Sequence, residues 1–229
     1  MWLCLCLCLC LYDCLWLSIS LAIKAFRSVS LFRSLSLSHL AVPLPMFDWV
    51  VLHRPQRGRY RQFVQFGVEC IGSGHPHADV EAIVLGADIL QMLGVLPATE
   101  LRINTLCDEV TRATHRAALT DFLHAHDANL SAVSKRRLES GAVLRILDTK
   151  DKSDQALLKG APTLLDHANP ESIEKFEAVL EGLTQSGVEY TVDHSMVRGL
   201  DYYTGTVFEF VTTELGAQGA VLAGGRYDG

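Results

Sequence analysis

Polar and apolar positions alternate along residues 60–71. Tyr60, Gln62, Val64, Phe66, Val68 and Cys70 fall on one side and are mostly apolar, whereas Arg61, Phe63, Gln65, Gly67 and Glu69 fall on the other, with Arg59 at the near end. A period of two predicts a strand with one core face and one row of polar groups. The bare glycine in that row marks a place where a ligand or another backbone comes close. The same alternation also describes a half-solvated antiparallel strand. Downstream the period lengthens. Val80, Ile83, Val84, Ala87 and Leu90 recur at helical spacing behind an acidic first turn, which predicts a core-facing helix over 79–93. A short strand at 101–105 precedes a helix over 108–126, marked by Val110, Ala113, Ala117, Phe122 and Leu123. Lys135-Arg136-Arg137 within 132–138 fits a solvated helix face better than an RNA-facing one. An apolar run at 143–147 ends in Asp148. Asn169-Pro170-Glu171 supplies a cap, a first-turn proline and an early acid, so a helix runs through Ile173, Phe176, Leu180 and Leu183 and stops at Gly187. Strands are expected at 188–192, at 202–211 and, after the turn-rich 214–219, at 220–223. No internal repeat is present.

The first fifty residues have a different texture. Residues 1–44 are low-complexity, with Leu-Cys alternation at the start and Ser-Leu repeats at 34–38. Residues 1–23 are apolar enough in length to cross a bilayer. No positive charge precedes the run; Lys24, Arg27 and Arg33 follow it, and Asp13 would be costly at mid-membrane. Short repeats of C, T and G encode such alternations when translated, so the segment is expected not to be native to the fold. A membrane anchor is the alternative, on apolar length alone. The chain of 229 residues carries a net charge of −6, which argues against a generally basic nucleic-acid coat and confines any RNA contact to local charge. Five of the seven cysteines lie in the first fourteen residues, and Cys70 and Cys107 stand apart without a metal-type pair, so the body of the chain reads as cytosolic. His75, His77, Asp79 and Glu81 could suggest a metal, but with no further ligand the segment reads as a turn and helix start, and no metal site is assigned.

Chemistry concentrates near the end of the chain. Arg198-Gly199-Leu200-Asp201-Tyr202-Tyr203-Thr204-Gly205 leads into Val207-Phe208-Glu209-Phe210, and Gly224-Gly225-Arg226-Tyr227-Asp228-Gly229 follows. A guanidinium at a strand mouth offers a planar fork to a carboxylate or phosphate, and a phenol beside it can orient a polar ring. The same residues equally describe a surface ion pair and two packed tyrosines. Taken together, the two blocks resemble the paired signature segments of histidyl-tRNA synthetases, a class II family. Residues 54–69, Arg-Pro-Gln-Arg-Gly-Arg-Tyr-Arg-Gln-Phe-Val-Gln-Phe-Gly-Val-Glu, are similar to the loop and second strand of that family's motif 2. The resemblance covers 53–229. It implies an α+β fold: an antiparallel sheet of the class II synthetase type flanked by helices, with a mostly helical insertion domain. The expected division is 1–50 foreign segment, 51–106 partial catalytic core, 107–187 insertion and 188–229 returning core.

The resemblance also implies roles. Gln65 would meet the α-amino group of histidine and Glu69 its imidazole. Arg198 would bind the carboxylate and act catalytically by offsetting charge on the α-phosphate. Tyr202, Tyr203 and Tyr227 would complete the amino-acid pocket, and Arg59 would lie where ATP or tRNA phosphates pass. Histidine, ATP with its accompanying Mg2+, and the acceptor end of tRNA(His) are the implied partners, and the family forms homodimers. In the family the insertion closes over the acceptor stem.

The chain departs from the family at Val51, where an arginine for the ATP α-phosphate is expected, and at His53, where an acidic residue is expected. Motif 1 with its dimer interface, motif 3 and the anticodon-binding domain are not in the sequence, so this chain as written is expected not to aminoacylate. The leading reading is a fragment of a histidine–tRNA ligase. A non-catalytic, histidine-binding regulatory paralogue is the alternative, and a membrane-tethered interaction protein rests on residues 1–23 alone. Retention of Gln65, Glu69, Arg198, Tyr202 and Tyr203 favours the first. All of it requires Arg198 and Glu69 to converge on one amino acid from opposite ends.

Overall fold

A computed structural model describes residues 2–7, 44–46, 65–196, 203–214 and 219–227, with the side chains described from Gly67 onward. Seven strands, β1 (Trp2–Leu7), β2 (Leu44–Met46), β3 (Gln65–Ile71), β4 (Glu100–Thr105), β5 (Thr191–Val192), β6 (Thr206–Val211) and β7 (Ala220–Tyr227), form one sheet in the order β2-β3-β1-β7-β6-β4-β5. Neighbours are antiparallel except for the parallel pair β4 and β5. The helices are α1 (Pro76–Met92), α2 (Glu109–Ala125), α3 (Ala132–Glu139), α4 (Leu144–Leu147), α5 (Lys152–Leu158) and α6 (Pro170–Gln185). The α+β class and the helix-flanked sheet are those the resemblance implies.

Most elements end where local chemistry ends them. α1 starts three residues earlier than its acidic turn suggests, because Pro76 occupies its first turn and His75 caps it, Nδ1 accepting from the His77 N–H at 3.2 Å. Asp108 caps α2 by accepting from the Thr111 N–H at 2.8 Å, and Asn169 caps α6 by accepting from the Ser172 N–H at 2.7 Å. β7 runs four residues past Ala223, through Gly224, Gly225 and Arg226 to Tyr227. Trp2–Leu7 comes from the low-complexity segment. Its backbone lies between β3 and β7, with Leu5 in register with Val68 on one side and Gly224 on the other. Composition gives no sign of that placement. Among the described residues no helix is long and apolar enough to cross a membrane.

The two faces of the sheet have different neighbours. Val68, Ile103, Phe208, Phe210 and Leu222 pack with Ile83 and Leu90 of α1 and Phe176, Val179 and Leu183 of α6. Full burial of side chains such as Phe208 or Leu90 stabilises by about 2 kcal/mol each. A second apolar cluster joins Leu119 and Leu123 of α2 to Leu130, Leu138, Val143 and Ile146, with Leu157 and Leu158 of α5 against it.

That second cluster is fastened by a buried carboxylate. Asp154 accepts from the Ser131 N–H (2.8 Å) and hydroxyl (2.6 Å), from the Ser134 hydroxyl (2.6 Å), and from Thr149 at 3.4 Å. Burial alone would raise its pKa, but these donors hold the carboxyl below the usual carboxylate range. Asp154→Ala strands several buried donors at once, and we expect it to cost on the order of 3 kcal/mol. Urea denaturation followed by far-UV circular dichroism measures the loss; a variant as stable as the parent would contradict it.

Candidate active site

Strand register divides the side chains of the sheet between its two faces. Val68, Leu5, Gly224 and Phe208 form a row across β3, β1, β7 and β6, and Val68 and Phe208 from that row enter the helix-side core. The next row is Glu69, position 4, Gly225 and Val207, and by the period of two it faces the opposite side. Val207 there joins a third apolar cluster with Leu106, Met196 and Tyr203, and Tyr227 packs against it. Glu69 and the two tyrosines therefore share the face away from α1. Two strand spacings, roughly 10 Å, separate the Glu69 and Gly225 backbones.

Gly225 is the floor beneath Tyr203. A Cβ at Gly225 would lie 2.7 Å from Tyr203 Cδ1, 2.9 Å from Cε1 and 3.0 Å from the Thr206 carbonyl oxygen, closer than any such atom sits. Glycine at this position lets the ring lie on the strand, leaving Tyr203 only 2 % exposed. The chain just beyond the ring is held by main-chain bonds. The Thr204 N–H donates to the Arg226 carbonyl at 2.7 Å, and the Gly205 N–H to the Cys107 carbonyl at 3.3 Å. Glu69 is half-buried and, among the described residues, hydrogen-bonds to none.

Under this face lies a buried ion pair. Arg226 points to the helix side, where Nη2 meets Asp79 Oδ1 at 2.6 Å and Nε meets the same oxygen at 3.0 Å. Its remaining donors reach the Ser73 carbonyl (3.0 Å) and the His75 carbonyl (3.2 Å), and the Thr206 hydroxyl donates to Asp79 Oδ2 at 2.7 Å. The pair thus ties the loop after β3, the start of α1, the start of β6 and the end of β7. It also commits the Asp79 carboxylate, while the His75 imidazole is separately engaged, its Nδ1 capping α1. Among the described residues no group of three or more His, Cys, Asp or Glu side chains converges.

A cleft of about 540 Å³ opens beside Tyr203. It lies between α2, α3, α4 and the sheet, and Arg112, Arg116, Arg137 and Arg145 line it with His115 and His194, against Glu109 and Asp148. His115 is 2 % exposed, its Nε2 lies 3.0 Å from the Pro162 carbonyl and its Nδ1 has no partner. Burial pulls its pKa below the ordinary imidazole value, partly offset by that carbonyl.

The structure brings Glu69, Tyr203 and Tyr227 to one face. Gln65 begins β3, with its backbone opposite Met46. Arg59, Arg198 and Tyr202 lie outside the described residues, as do Val51 and His53. The pairing of Asp79 with Arg226, and the contact of Arg112, lie outside the sequence expectations; an arginine of core-face parity in a glycine-bordered strand is the available sign of the first.

Breaking one half of the buried pair leaves the other charge unmatched. Arg226→Met is expected to lose about 3–5 kcal/mol in chemical denaturation. Adding Asp79→Leu should recover only part of that, because the Ser73 and His75 carbonyls and the Thr206 hydroxyl remain without these partners.

A model of the family described as histidyl-tRNA synthetase matches residues 48–229. The histidine–tRNA ligase of Rhodospirillum rubrum is 53% identical over 185 residues, covering 81% of this chain and 44% of its own. That of Alkalilimnicola ehrlichii is 51% identical over 184 residues, covering 80% and 42%. The crystal structure of apo S. aureus histidyl-tRNA synthetase aligns with a TM-score of 0.55 at 30% identity, over 90% of this chain and 47% of that one. The chain spans less than half the length of these relatives. Matched over most of its own residues, in sequence and in sheet architecture, the chain belongs to the histidyl-tRNA synthetase family.

Proposed function

We propose that the face carrying Glu69, Tyr203 and Tyr227 is the L-histidine site of a histidine–tRNA ligase. That activity converts histidine with ATP to histidyl-adenylate and transfers it to the terminal ribose of tRNA(His); in this chain as written the site binds histidine without completing aminoacylation. The observation that carries this reading is the shared row of Glu69 and Gly225, with Tyr203 laid over the glycine. A carboxylate that hydrogen-bonds to none of the described residues and a packed tyrosine then lie on one face, about two strand spacings apart. Glu69 accepts from an imidazole N–H, and Tyr203 with Tyr227 bounds the ring. Demanding hydrogen bonds from the ring nitrogens rejects apolar isosteres, because a half-buried carboxylate left unpaired is costly. Gln65 meets the α-amino group. Arg198 holds the carboxylate and offsets charge as that carboxylate attacks the α-phosphate, releasing pyrophosphate; such chemistry rests on positioning and charge neutralisation.

The arginine-lined cleft supports the RNA side of the reading. A chain with a net charge of −6 gathers Arg112, Arg116, Arg137 and Arg145 around one opening beside the pocket, as passage of acceptor-end phosphates requires. Arg59 contributes from the motif 2 loop. Mg2+ accompanies ATP in this chemistry. The described residues do not fit a protein-built cage for it, so it would arrive on the ATP phosphates with water as its other ligands. A cytosolic setting completes the reading; free Cys70 and Cys107 suit a reducing compartment. At position 51 valine offers no charge to the α-phosphate, so histidine binding is expected to outlast adenylate formation in this chain.

Isothermal titration of the purified chain with L-histidine tests the reading. Glu69→Gln should weaken binding by about tenfold or more, the cost of a charge-assisted hydrogen bond. Equal affinity in parent and variant would refute the placement of the imidazole.

A further inference from the structure

Arg112 stands where the insertion meets the pocket. Its Nη1 donates to the Tyr203 carbonyl at 3.0 Å, a contact spanning 91 residues of sequence. The arginine itself is fixed. It lies in the first turn of α2, its N–H bonded to the Asp108 carbonyl at 3.0 Å, and Asp108 caps that turn. Hydrogen bonds from the backbone and side chain of Thr111 hold the Asp108 carboxyl below the usual range, so the cap is charged at neutral pH. At helical spacing Arg112, His115 and Arg116 share one side of α2 and line the cleft.

We propose that Arg112 is a positioning residue: by holding the Tyr203 carbonyl it keeps the phenol ring seated over Gly225 in the histidine pocket, and so joins the insertion helices to amino-acid recognition. The role rests on the histidine-binding reading above. Three features require it. The ring lies on a strand with no Cβ beneath it and packs with Leu106, Met196 and Val207, and its register over the glycine is set by that packing together with what holds its backbone. The turn after it is pinned at Thr204 and Gly205 to Arg226 and Cys107, and Arg112 secures the carbonyl immediately before those bonds. A guanidinium offers a charged donor of fixed geometry from a capped helix, the kind of support that holds a recognition side chain within a fraction of an ångström.

The test compares the full 229-residue chain with Arg112→Met, Arg112→Gln and Arg112→Lys, alone and combined with Tyr203→Leu. L-histidine affinity is measured by titration calorimetry, and exchange of the Thr204 and Gly205 amides by NMR in the absence of histidine. Met and Gln at position 112 should weaken histidine binding about tenfold and speed exchange of both amides, with the thermal midpoint unchanged. Lys, which keeps one charged donor, should return affinity to within a few-fold of the parent. In the Tyr203→Leu background, which removes the ring, the Met change should add nothing further, because both act through that ring. Unaltered affinity in the Met and Gln variants, multiplicative losses in the double variant, or a Lys variant as weak as Met overturns the role. A parent chain that takes up no histidine overturns the reading of the pocket and this role with it. A parent that binds while Arg112→Met binds equally well overturns this role alone.

Discussion

The geometry of the site depends on the buried pair of Asp79 and Arg226. An arginine 7 % exposed is tolerable only if its charge and its donors are met, and here they are met by one carboxylate and two carbonyls. Those partners come from the end of β3 and the first turn of α1, while Thr206 brings β6 to the same carboxylate. One guanidinium therefore fixes the relation between the strand bearing Glu69 and the strand bearing Gly225. On β7 consecutive residues serve opposite faces: Arg226 locks the sheet to α1, and Gly225 beside it admits the Tyr203 ring. The pair is a constraint on position before it is a source of stability.

Charge is distributed with similar economy of place. The net charge of −6 gives the chain no general attraction for RNA. Arg112 and Arg116 of α2 face a cleft that Arg137 and Arg145 close from the other helices, and Arg137 is itself steered by a bond to the Arg145 carbonyl at 2.6 Å. A local positive opening on an acidic molecule attracts phosphates to one place and repels them elsewhere. Lys135 and Arg136, from the same basic trio as Arg137, are differently engaged, with Asp127 and with the carbonyl of their own helix turn. The trio thus divides: one member faces the cleft and two belong to a solvated helix.

What the sequence disclosed follows from which forces are local. The alternation at Val68 and Glu69 is readable because a half-buried strand imposes it, and α1, α2 and α6 are readable because their apolar spacing and caps are written in consecutive residues. β7 was cut short at Ala223 because Gly-Gly has little strand propensity; register with β6 extends it. α5 was missed because Lys152-Ser153-Asp154-Gln155 carries no apolar period, and its place is set by Asp154 reaching Ser131 and Ser134 across twenty residues or more. Asp79 and Arg226 stand 147 positions apart, so no window holds both. The roles of Arg59, Arg198 and Tyr202 came from family resemblance, since an arginine beside tyrosines has too many ordinary explanations to identify itself.

The period of two also separates binding from stability along the chain. Val68 and Phe208 belong to the apolar core, while their neighbours Glu69 and Val207 belong to the opposite face. The amino-acid end of the proposed site is thus assembled from residues whose immediate neighbours are held by the core, which makes it the rigid end. The resemblance assigns the phosphate end to positions 51 and 59, and at position 51 the side chain is valine. A rigid pocket can keep its affinity when a distant charge is missing, because binding an amino acid needs its own contacts. Activation needs those contacts and, at the same moment, charge to meet the phosphate. In this reading loss of the cation at position 51 removes the second requirement and leaves the first intact.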